Sequence, residues 1–233
     1  MVDRYTITCN SNALKELSGK LEEIEAFDPC FNAAPSHLLP VTTVSDPNKV
    51  SLMQWGFISI LSNNKKMSPK LFNTDLQQIN SKTALRKSLQ KNRCIIYADG
   101  FFFWKQIAKK ALTPYYVFNS NRQPFCIGGF WEEKDEFVEN SADSFMMLTR
   151  PIVPELEDYQ EDMPFIIPAD KIPQWMDPNL EIEKVLDWID EKLPLSFSVH
   201  AVSPAINNPN INDPRLIKMS NPADQHGNYT LFG

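Results

Sequence analysis

The side chains that could do chemistry are few, and none has the spacing of a known catalytic motif. The three histidines, His37, His200 and His226, are too far apart to resemble a metal-ligand set. Carboxylate pairs such as Glu132 and Glu133 could exchange protons with a substrate, but a solvated acidic surface explains them as easily. The GxSxG, HExxH, Walker and GxGxxG patterns do not occur. Residue types alone therefore predict no reaction.

The cysteines and glycines exclude further kinds of site. Cys9, Cys30, Cys94 and Cys126 are widely separated and form no CxxC pair, which fits reduced, mostly buried thiols better than a disulfide framework or a zinc site. We therefore expect no metal ion and no cofactor. Only 7 glycines accompany 18 prolines, so turns built from Pro, Asn and Asp are expected rather than a glycine loop that holds phosphate.

Charge and hydropathy predict the class of protein and its compartment. The formal net charge is −6, yet residues 1–131 carry 16 Lys or Arg against 9 Asp or Glu, and residues 132–191 carry 4 against 18. Lysine and arginine clusters at 65–70 and 82–93 could form a basic face or simply solvate a helix, and an acidic chain lacks the general footprint of a duplex-DNA binder. No apolar run approaches the roughly 18 residues of a membrane helix, so we expect a cytoplasmic protein that does not enter membranes.

The elements that must position any site are short and mixed. Hydrophobic periodicity predicts helices at 12–27, at 81–92 with Ser81 as the cap, and at 180–192. Short β-rich runs predict the strands, at 5–9, 38–44, 50–58, 94–98, 101–105, 114–118, 124–130, 144–149, 164–167 and 196–202. Helices do not alternate with strands, so we predict a single α+β domain, 1–233, with a mainly antiparallel, barrel-like sheet, a few peripheral helices and an ordered irregular tail at 203–213.

Nine segments, taken in order, resemble motifs of the SOS response-associated peptidase (SRAP) family. The most specific, RCIIYADGFFFW at 93–104, resembles the family's Arg-Cys…Ala-Asp-Gly-Phe-Tyr-Glu-Trp. The others are MVDRY at 1–5, FNAAP at 31–35, WGF at 55–57, FNTDLQ at 72–77, GGFW at 128–131, LT at 148–149, YQEDMP at 159–164, and a tail of VS at 202–203, NN at 207–208 and ND at 212–213. The resemblance implies the SRAP fold.

The resemblance also implies a chemistry, the processing of abasic sites in single-stranded DNA during the SOS response. In that family, an N-terminal cysteine is exposed when the initiator methionine is released, which is the sense of the name peptidase. Its amine, with an ordinary pKa of about 7.7 to 8.0, forms an imine with the aldehyde of the opened sugar. The adjacent thiol then closes a thiazolidine, which high effective molarity favours. Glu and His groups move protons, an Asn positions the reactive end and arginines hold phosphates.

At the positions that match this machinery, the present sequence carries different side chains. The nucleophilic cysteine corresponds to Val2, and ring closure needs a thiol there. The proton-transferring glutamate and histidine correspond to Phe103 and Gln160, neither of which titrates. The two arginines correspond to Asp75 and Asp162, which would repel a phosphate. We therefore expect little of the family's covalent chemistry.

Four further members of the implied site are retained: Asn73 as a positioning residue, with Arg4, Trp104 and Thr149 as DNA contacts. Each of the last three has a structural alternative, Trp104 in a core, Thr149 in a strand and Arg4 in an ion pair.

Three hypotheses remain at this point. The first is a SRAP-fold pseudoenzyme with a weakened or repurposed role at single-stranded or abasic DNA. The second is active processing through an imine at the Val2 amine, which requires removal of Met1. The third is a module that binds a protein or small ligand and has no affinity for DNA. The sequence names no protein partner.

Overall fold

A computed structural model describes residues 2–19, 21–56, 71–108, 111–134 and 142–228. The strands in these ranges are β1 (Tyr5–Ile7), β2 (Glu23–Ile24), β3 (Cys30–Ala33), β4 (Leu38–Thr43), β5 (Asp46–Trp55), β6 (Asn73–Asp75), β7 (Arg93–Ala98), β8 (Gly100–Ala108), β9 (Ala111–Asn119), β10 (Phe125–Glu132), β11 (Ser144–Pro151), β12 (Asp162–Pro164), β13 (Ile166–Ile167) and β14 (Phe197–Ala201). The α-helices are α1 (Ser11–Ser18), α2 (Thr83–Lys91), α3 (Ile172–Trp175) and α4 (Glu183–Asp190). Short 3-10 helices cover Leu76–Asn80, Pro154–Leu156, Ala169–Lys171, Pro204–Asn207 and Pro214–Ile217.

Two sheets, both largely antiparallel, contain these strands. The smaller sheet has the order β14-β9-β8-β1-β3, and the larger has the order β12-β11-β10-β7-β4-β5-β2. Strand β5 also pairs in parallel with β11, through Ser144 opposite Gln54 and Phe145 opposite Trp55. That pairing joins β11, β10, β7, β4 and β5 into a ring, which confirms the predicted α+β class with a mainly antiparallel, barrel-like sheet.

The main core, which we define as the largest cluster of buried apolar side chains, joins the two sheets. Trp55 and Phe145 stack inside the ring with centroids 6.4 Å apart, and Tyr5 of the smaller sheet packs edge-on against Trp55 at 5.1 Å. Alternation along β8 sends Phe101 and Phe103 into this main core and Phe102 to the opposite face. A second cluster forms on that face, comprising Phe102, Tyr116, Phe118, Val202, Ile206 and Leu216.

The tail that covers the second cluster is fixed by one buried amide. Asn32 of β3 is 1% exposed, and its Nδ2 donates to the carbonyls of Ile206, Asn208 and Ile211 at 3.3, 3.0 and 3.1 Å. Asn212 completes the contact by accepting from the Phe31 amide at 2.7 Å. The prediction of an ordered irregular tail is therefore confirmed.

The predicted elements differ from the structure mainly at their ends. The helix predicted at 12–27 stops at Ser18, because Gly19 adopts φ 74° and closes the helix by donating its amide to Lys15. The second helix begins at Thr83 rather than behind Ser81, and the third is shortened to Glu183–Asp190. Strands β2, β3 and β6 and helix α3 were not predicted, and positions 57 and 58 of the predicted strand 50–58 lie outside the described residues.

Two predictions made from composition, on the cysteines and on membrane helices, can be compared with the structure. All four cysteines are free thiols, and Cys94 and Cys126 are buried as predicted, whereas Cys9 and Cys30 are only partly buried. No helix in the described ranges is long and apolar enough to cross a membrane.

The Asn32 side chain is expected to control the stability of the tail. Asn32→Ala removes the donor for three carbonyls, so we expect the free energy of unfolding to fall by about 2–3 kcal/mol, measured by urea denaturation. Asn221→Ala, at an exposed asparagine, is the control and should change stability by less than about 0.5 kcal/mol. Equal effects of the two substitutions would contradict the anchoring role of Asn32.

Candidate functional site

The Ala-Asp-Gly motif holds the N-terminal strand in place. The Asp99 carboxylate accepts from the Thr8 amide at 2.6 Å, the Thr8 hydroxyl at 2.7 Å and the Cys9 amide at 3.1 Å, and it also accepts from the Thr6 hydroxyl. Tyr116 contacts the same Thr6 hydroxyl at 3.0 Å. A Cβ at Gly100 would lie 2.3 Å from the Tyr116 hydroxyl, so only glycine admits this ring. The motif thus positions β1, and with it the residues that precede β1.

Val2 and Asn73 are in direct contact at the start of β1. Val2 is fully buried, and its carbonyl accepts a hydrogen bond from Asn73 Nδ2. Asn73 begins β6, which lies parallel to β11 with Asn73 opposite Met147. The indole of Trp55 donates to the Phe72 carbonyl at 2.9 Å and so fixes the residue before β6. Asn73, for which the resemblance implies a positioning role, is thus hydrogen-bonded to the backbone of residue 2.

A cavity of about 620 Å³ brings four of the predicted site residues together. Asn73, Asp75, Thr149 and Asp162 all line it. Strand register explains this, because Asp75 on β6 lies opposite Thr149 on β11 and Asp162 on β12 lies opposite Pro151, two residues farther along β11. Thr149 is 3% exposed, consistent with its structural alternative as a strand residue.

The polar lining of this cavity carries more negative than positive charge among the described residues. Asp75 Oδ1 accepts from the Gln77 amide at 2.9 Å and caps the 3-10 helix at 76–80. Asp162 Oδ1 accepts from Gln160 Nε2 at 2.8 Å, so Gln160 orients a carboxylate. The lining includes one lysine, Lys82, whose ammonium donates to the Gln78 side chain at 2.7 Å.

Phe103 and Trp104 point away from the cavity, on opposite faces of β8. Phe103 has no exposed surface and packs edge-on against Phe101 at 5.0 Å in the main core. Trp104 packs against the second cluster, and its indole donates to Asn207 Oδ1 at 2.9 Å. Trp104 therefore has the packing role that the sequence allowed as its alternative.

Arg4 is engaged by its neighbour rather than by the cavity. Its guanidinium donates to the Asp3 carbonyl at 2.6 Å and lies 3.5 Å from the Asp3 carboxylate. Burial raises the pKa of Asp3 although the charge of Arg4 opposes that shift. Burial, together with the charge of Arg4, lowers the pKa of His37. Arg4 thus takes the ion-pair role that the sequence allowed.

The predicted basic clusters are only partly available to a ligand. Arg93 is fully buried and donates to four carbonyls, those of Leu89, Gln90, Trp175 and Asp177, so its inclusion in a basic face was wrong. Arg86 forms an ion pair with Glu183. The cluster at 65–70 lies outside the described residues.

The apolar wall of the cavity was missed by the sequence reasoning. Leu71, Leu85, Phe130 and Met146 line it beside the two aspartates. The helical spacing around Leu85 indicated that one face of α2 packs against the rest of the protein. It did not indicate which residues that face would contact. Within the described ranges, no three His, Cys, Asp or Glu side chains converge in a way that could hold a metal ion.

Comparison with known proteins identifies the family and the fold. The family model described as SOS response associated peptidase (SRAP) matches residues 1–209. The abasic site processing protein YoqW of Bacillus subtilis (strain 168) is 25% identical over 194 residues, covering 82% of this chain and 87% of that protein. YoaM of the same organism, also named an abasic site processing protein, is 25% identical over 199 residues, covering 84% and 87%. A crystal structure of a Bacteroides thetaiotaomicron protein aligns with a TM-score of 0.75 at 18% identity, covering 93% of this chain and 99% of that one.

The lowered pKa of His37 predicts a pH dependence of stability. As pH falls, the unfolded chain binds a proton at about 6.5 before folded His37 does, so the native state loses stability below about pH 6.5. His37→Gln removes this loss. We expect the stability of the wild type relative to the variant to decrease between pH 7.5 and 5.5, measured by urea denaturation. His226→Gln, at an exposed histidine, is the control, and a pH-independent difference for His37→Gln would contradict the prediction.

Proposed function

The chain belongs to the SOS response associated peptidase family, and we propose that it is a member that does not form the covalent adduct with abasic DNA. Relatives in this family are named abasic site processing proteins. In our proposal this copy is a pseudoenzyme that has kept the scaffold and has a weakened or repurposed role at single-stranded DNA. The observation that carries the proposal is the pair of buried apolar side chains, Val2 and Phe103, at the positions of the nucleophile and of a proton-transferring group.

The nucleophile position supports the proposal first. Thiazolidine formation needs an amine and a thiol on adjacent carbons, and the side chain of Val2 is a hydrocarbon without exposed surface. Other thiols are poor substitutes, because the pKa of the partly buried Cys9 thiol is raised to about 12 by burial and by the charge of Asp99. A thiol with so high a pKa carries almost no thiolate at neutral pH.

The proton-transfer positions support it next. A general acid or base must titrate and must reach the reacting atoms. Phe103 can do neither, since it packs within the main core. Gln160 does not titrate either, and its amide is committed to Asp162.

The phosphate positions add an electrostatic argument. An arginine fork binds phosphate through paired, charge-assisted hydrogen bonds. Asp75 and Asp162 instead present carboxylates to the cavity beside Asn73, and like charges raise the free energy of a bound phosphate. Any remaining affinity for DNA would then come from other surfaces and would be weak at physiological salt.

One observation favours the second candidate, imine formation at the Val2 amine. Asn73 contacts the Val2 carbonyl at the edge of the cavity, so the retained positioning residue still holds the N-terminal end. If Met1 were removed, the free amine, with an ordinary pKa of about 7.7 to 8.0, would be partly neutral and could attack an aldehyde. The product would be a reversible imine, because no adjacent thiol closes the ring.

A denaturing gel distinguishes these possibilities. The purified protein is incubated with single-stranded DNA that carries one abasic site, with and without borohydride. We expect no adduct under either condition beyond that given by intact DNA of the same sequence. An adduct that survives without reductant would overturn the proposed function, and one that requires borohydride would identify the imine route.

A single restored thiol is not expected to recover efficient crosslinking. Val2→Cys supplies the nucleophile, but Phe103 and Gln160 still cannot transfer a proton. The two aspartates still cannot bind phosphate as arginines would. We expect an initial rate at least about 100-fold below that measured in parallel for the abasic site processing protein YoqW, since general acid-base catalysis typically contributes 10²–10⁴. Val2→Ser is the matched control without a thiol. A rate close to that of the relative would show that the other substitutions matter little.

A further inference from the structure

The cavity beside Asn73 has the size of a small-molecule site. Its volume of about 620 Å³ lies within the range of about 300–1,000 Å³ that is typical of ligand pockets. Residues of β6, which pairs with β11, line it together with the first turn of α2. The repurposed role allowed by the proposed function therefore has a physical space in which a ligand can bind.

The chain segment 75–82 gives the cavity both a hydrogen-bond acceptor and hydrogen-bond donors. Asp75 Oδ1 accepts from the Gln77 amide at 2.9 Å, and its second oxygen, Oδ2, has no partner among the described residues. Farther along the segment, the Lys82 ammonium donates to Gln78 Oε1 at 2.7 Å. That contact uses one of the three ammonium protons and leaves the Nε2 amide of Gln78 as a further donor. A ligand that offers both donors and an acceptor can bind to all of these groups.

The cavity also has an apolar wall. Leu85 of α2 lines it with Phe130 and Met146, which are paired residues of β10 and β11. Leu71, which also lines the cavity, is 57% exposed. A flat ring that packs against Leu71 and Leu85 removes apolar surface from water, and that burial favours binding.

We propose that this cavity binds an unpaired guanine base. Guanine carries two neighbouring donors, N1–H and the N2 amine, and the acceptor O6 follows them on the same edge. The Asp75 carboxylate accepts from the two donors, Lys82 or Gln78 donates to O6, and the apolar wall packs against the ring. Enzymes that bind a flipped base contact it in the same way, through hydrogen bonds to its edge and apolar contacts with its faces.

The order of donors and acceptors favours guanine over the other bases. Adenine and cytosine have a ring-nitrogen acceptor beside the amine, and thymine has a carbonyl on each side of a single donor. Each of these bases therefore directs an acceptor at the carboxylate, which itself can only accept.

Other ligand classes fit the same groups less well. A phosphate would face the Asp75 carboxylate and an amine would face the Lys82 ammonium, whereas a neutral base can bind to both. Because the base is neutral, its binding does not depend on the net charge of the lining, to which Asp162 also contributes. The proposal rests on the proposed function, because an intact base is assigned to the site in which covalent capture of a baseless sugar has been lost.

The first test is isothermal titration calorimetry of the full chain with free nucleosides. Guanosine is the probe, inosine lacks the N2 amine, 1-methylguanosine has no N1–H, and adenosine presents a ring-nitrogen acceptor instead. We expect guanosine to bind at least about tenfold more tightly than each of the other three, because each of them loses a charge-assisted hydrogen bond to the carboxylate.

A second measurement separates the two sources of this base, a free nucleoside and single-stranded DNA. Fluorescence anisotropy compares a short strand of thymidines that contains one central deoxyguanosine with the same strand without it. If the base is bound within DNA, we expect the first strand to bind at least about tenfold more tightly. Selective binding of guanosine together with equal binding of the two strands would identify the free nucleoside as the ligand.

The variant Asp75→Asn tests whether this carboxylate recognises the base. Asparagine keeps an oxygen that accepts from the Gln77 amide, but it replaces the second oxygen by a donor. We expect guanosine affinity to fall about tenfold or more and the preference for guanosine over inosine to disappear, whereas a purely structural effect would weaken both nucleosides equally. Asp187→Asn, at an exposed position outside the cavity lining, is the control and should change affinity less than about twofold.

The proposal is overturned if neither guanosine nor the strand with guanine binds selectively, or if the Asp75→Asn and Asp187→Asn variants behave alike. Failure here is distinguishable from failure of the proposed function, because the gel for covalent capture can use a strand without guanine. A stable adduct with that strand, together with selective guanosine binding, would overturn the proposed function alone. The absence of both would overturn only the guanine site.

Discussion

The Asp99 carboxylate is the interaction on which the rest of this site depends. It joins the turn between β7 and β8 to residues 6, 8 and 9, and so fixes the position of β1 relative to both sheets. Tyr5 of β1 packs against Trp55 inside the ring, and Val2, just before β1, accepts a hydrogen bond from Asn73. A partly buried carboxylate with several donors is costly to desolvate but strongly directional once its hydrogen bonds are made. Its network therefore specifies one geometry for the N-terminal residues whatever chemistry those residues perform.

The motifs that relate this chain to its family contain two kinds of residue: those that hold the fold together, and those at positions where the resemblance implies reactive groups. Asn32 satisfies several backbone carbonyls and Asp99 satisfies several partly buried amide and hydroxyl groups, so the loss of either side chain would leave polar groups without these partners. The residues that differ, including Val2, Asp75 and Phe103, need only fit the space that the scaffold leaves. In our proposal, substitutions at the second kind of position remove reactive groups without breaking this hydrogen-bonded scaffold, which explains how the fold is kept.

The sequence predicted most of the fold but only part of the candidate site. Short β-rich runs such as 94–98 and 114–118 were found because β-branched and aromatic residues are local signals. Strands such as β6, Asn73–Asp75, have no such signal and are extended because their backbone pairs with β11. The same tertiary origin explains why Arg93 was misread, since only its burial against the Trp175 and Asp177 carbonyls distinguishes it from a surface arginine. The apolar wall of the cavity was missed for this reason too, because Leu85 and Met146 are far apart in sequence.

In the proposed function, Phe103 stands where the family resemblance implies a glutamate, and its packing explains why an apolar residue would be kept there. A carboxyl group at this fully buried position would have to be desolvated, which costs several kcal/mol unless it is hydrogen-bonded or kept neutral. A phenylalanine removes that cost and adds about 1.5–3 kcal/mol of apolar burial, together with the edge-on contact with Phe101. In our proposal, the residue that cannot transfer a proton therefore also strengthens the core. A carboxyl group at this position would add a titratable group at the expense of stability.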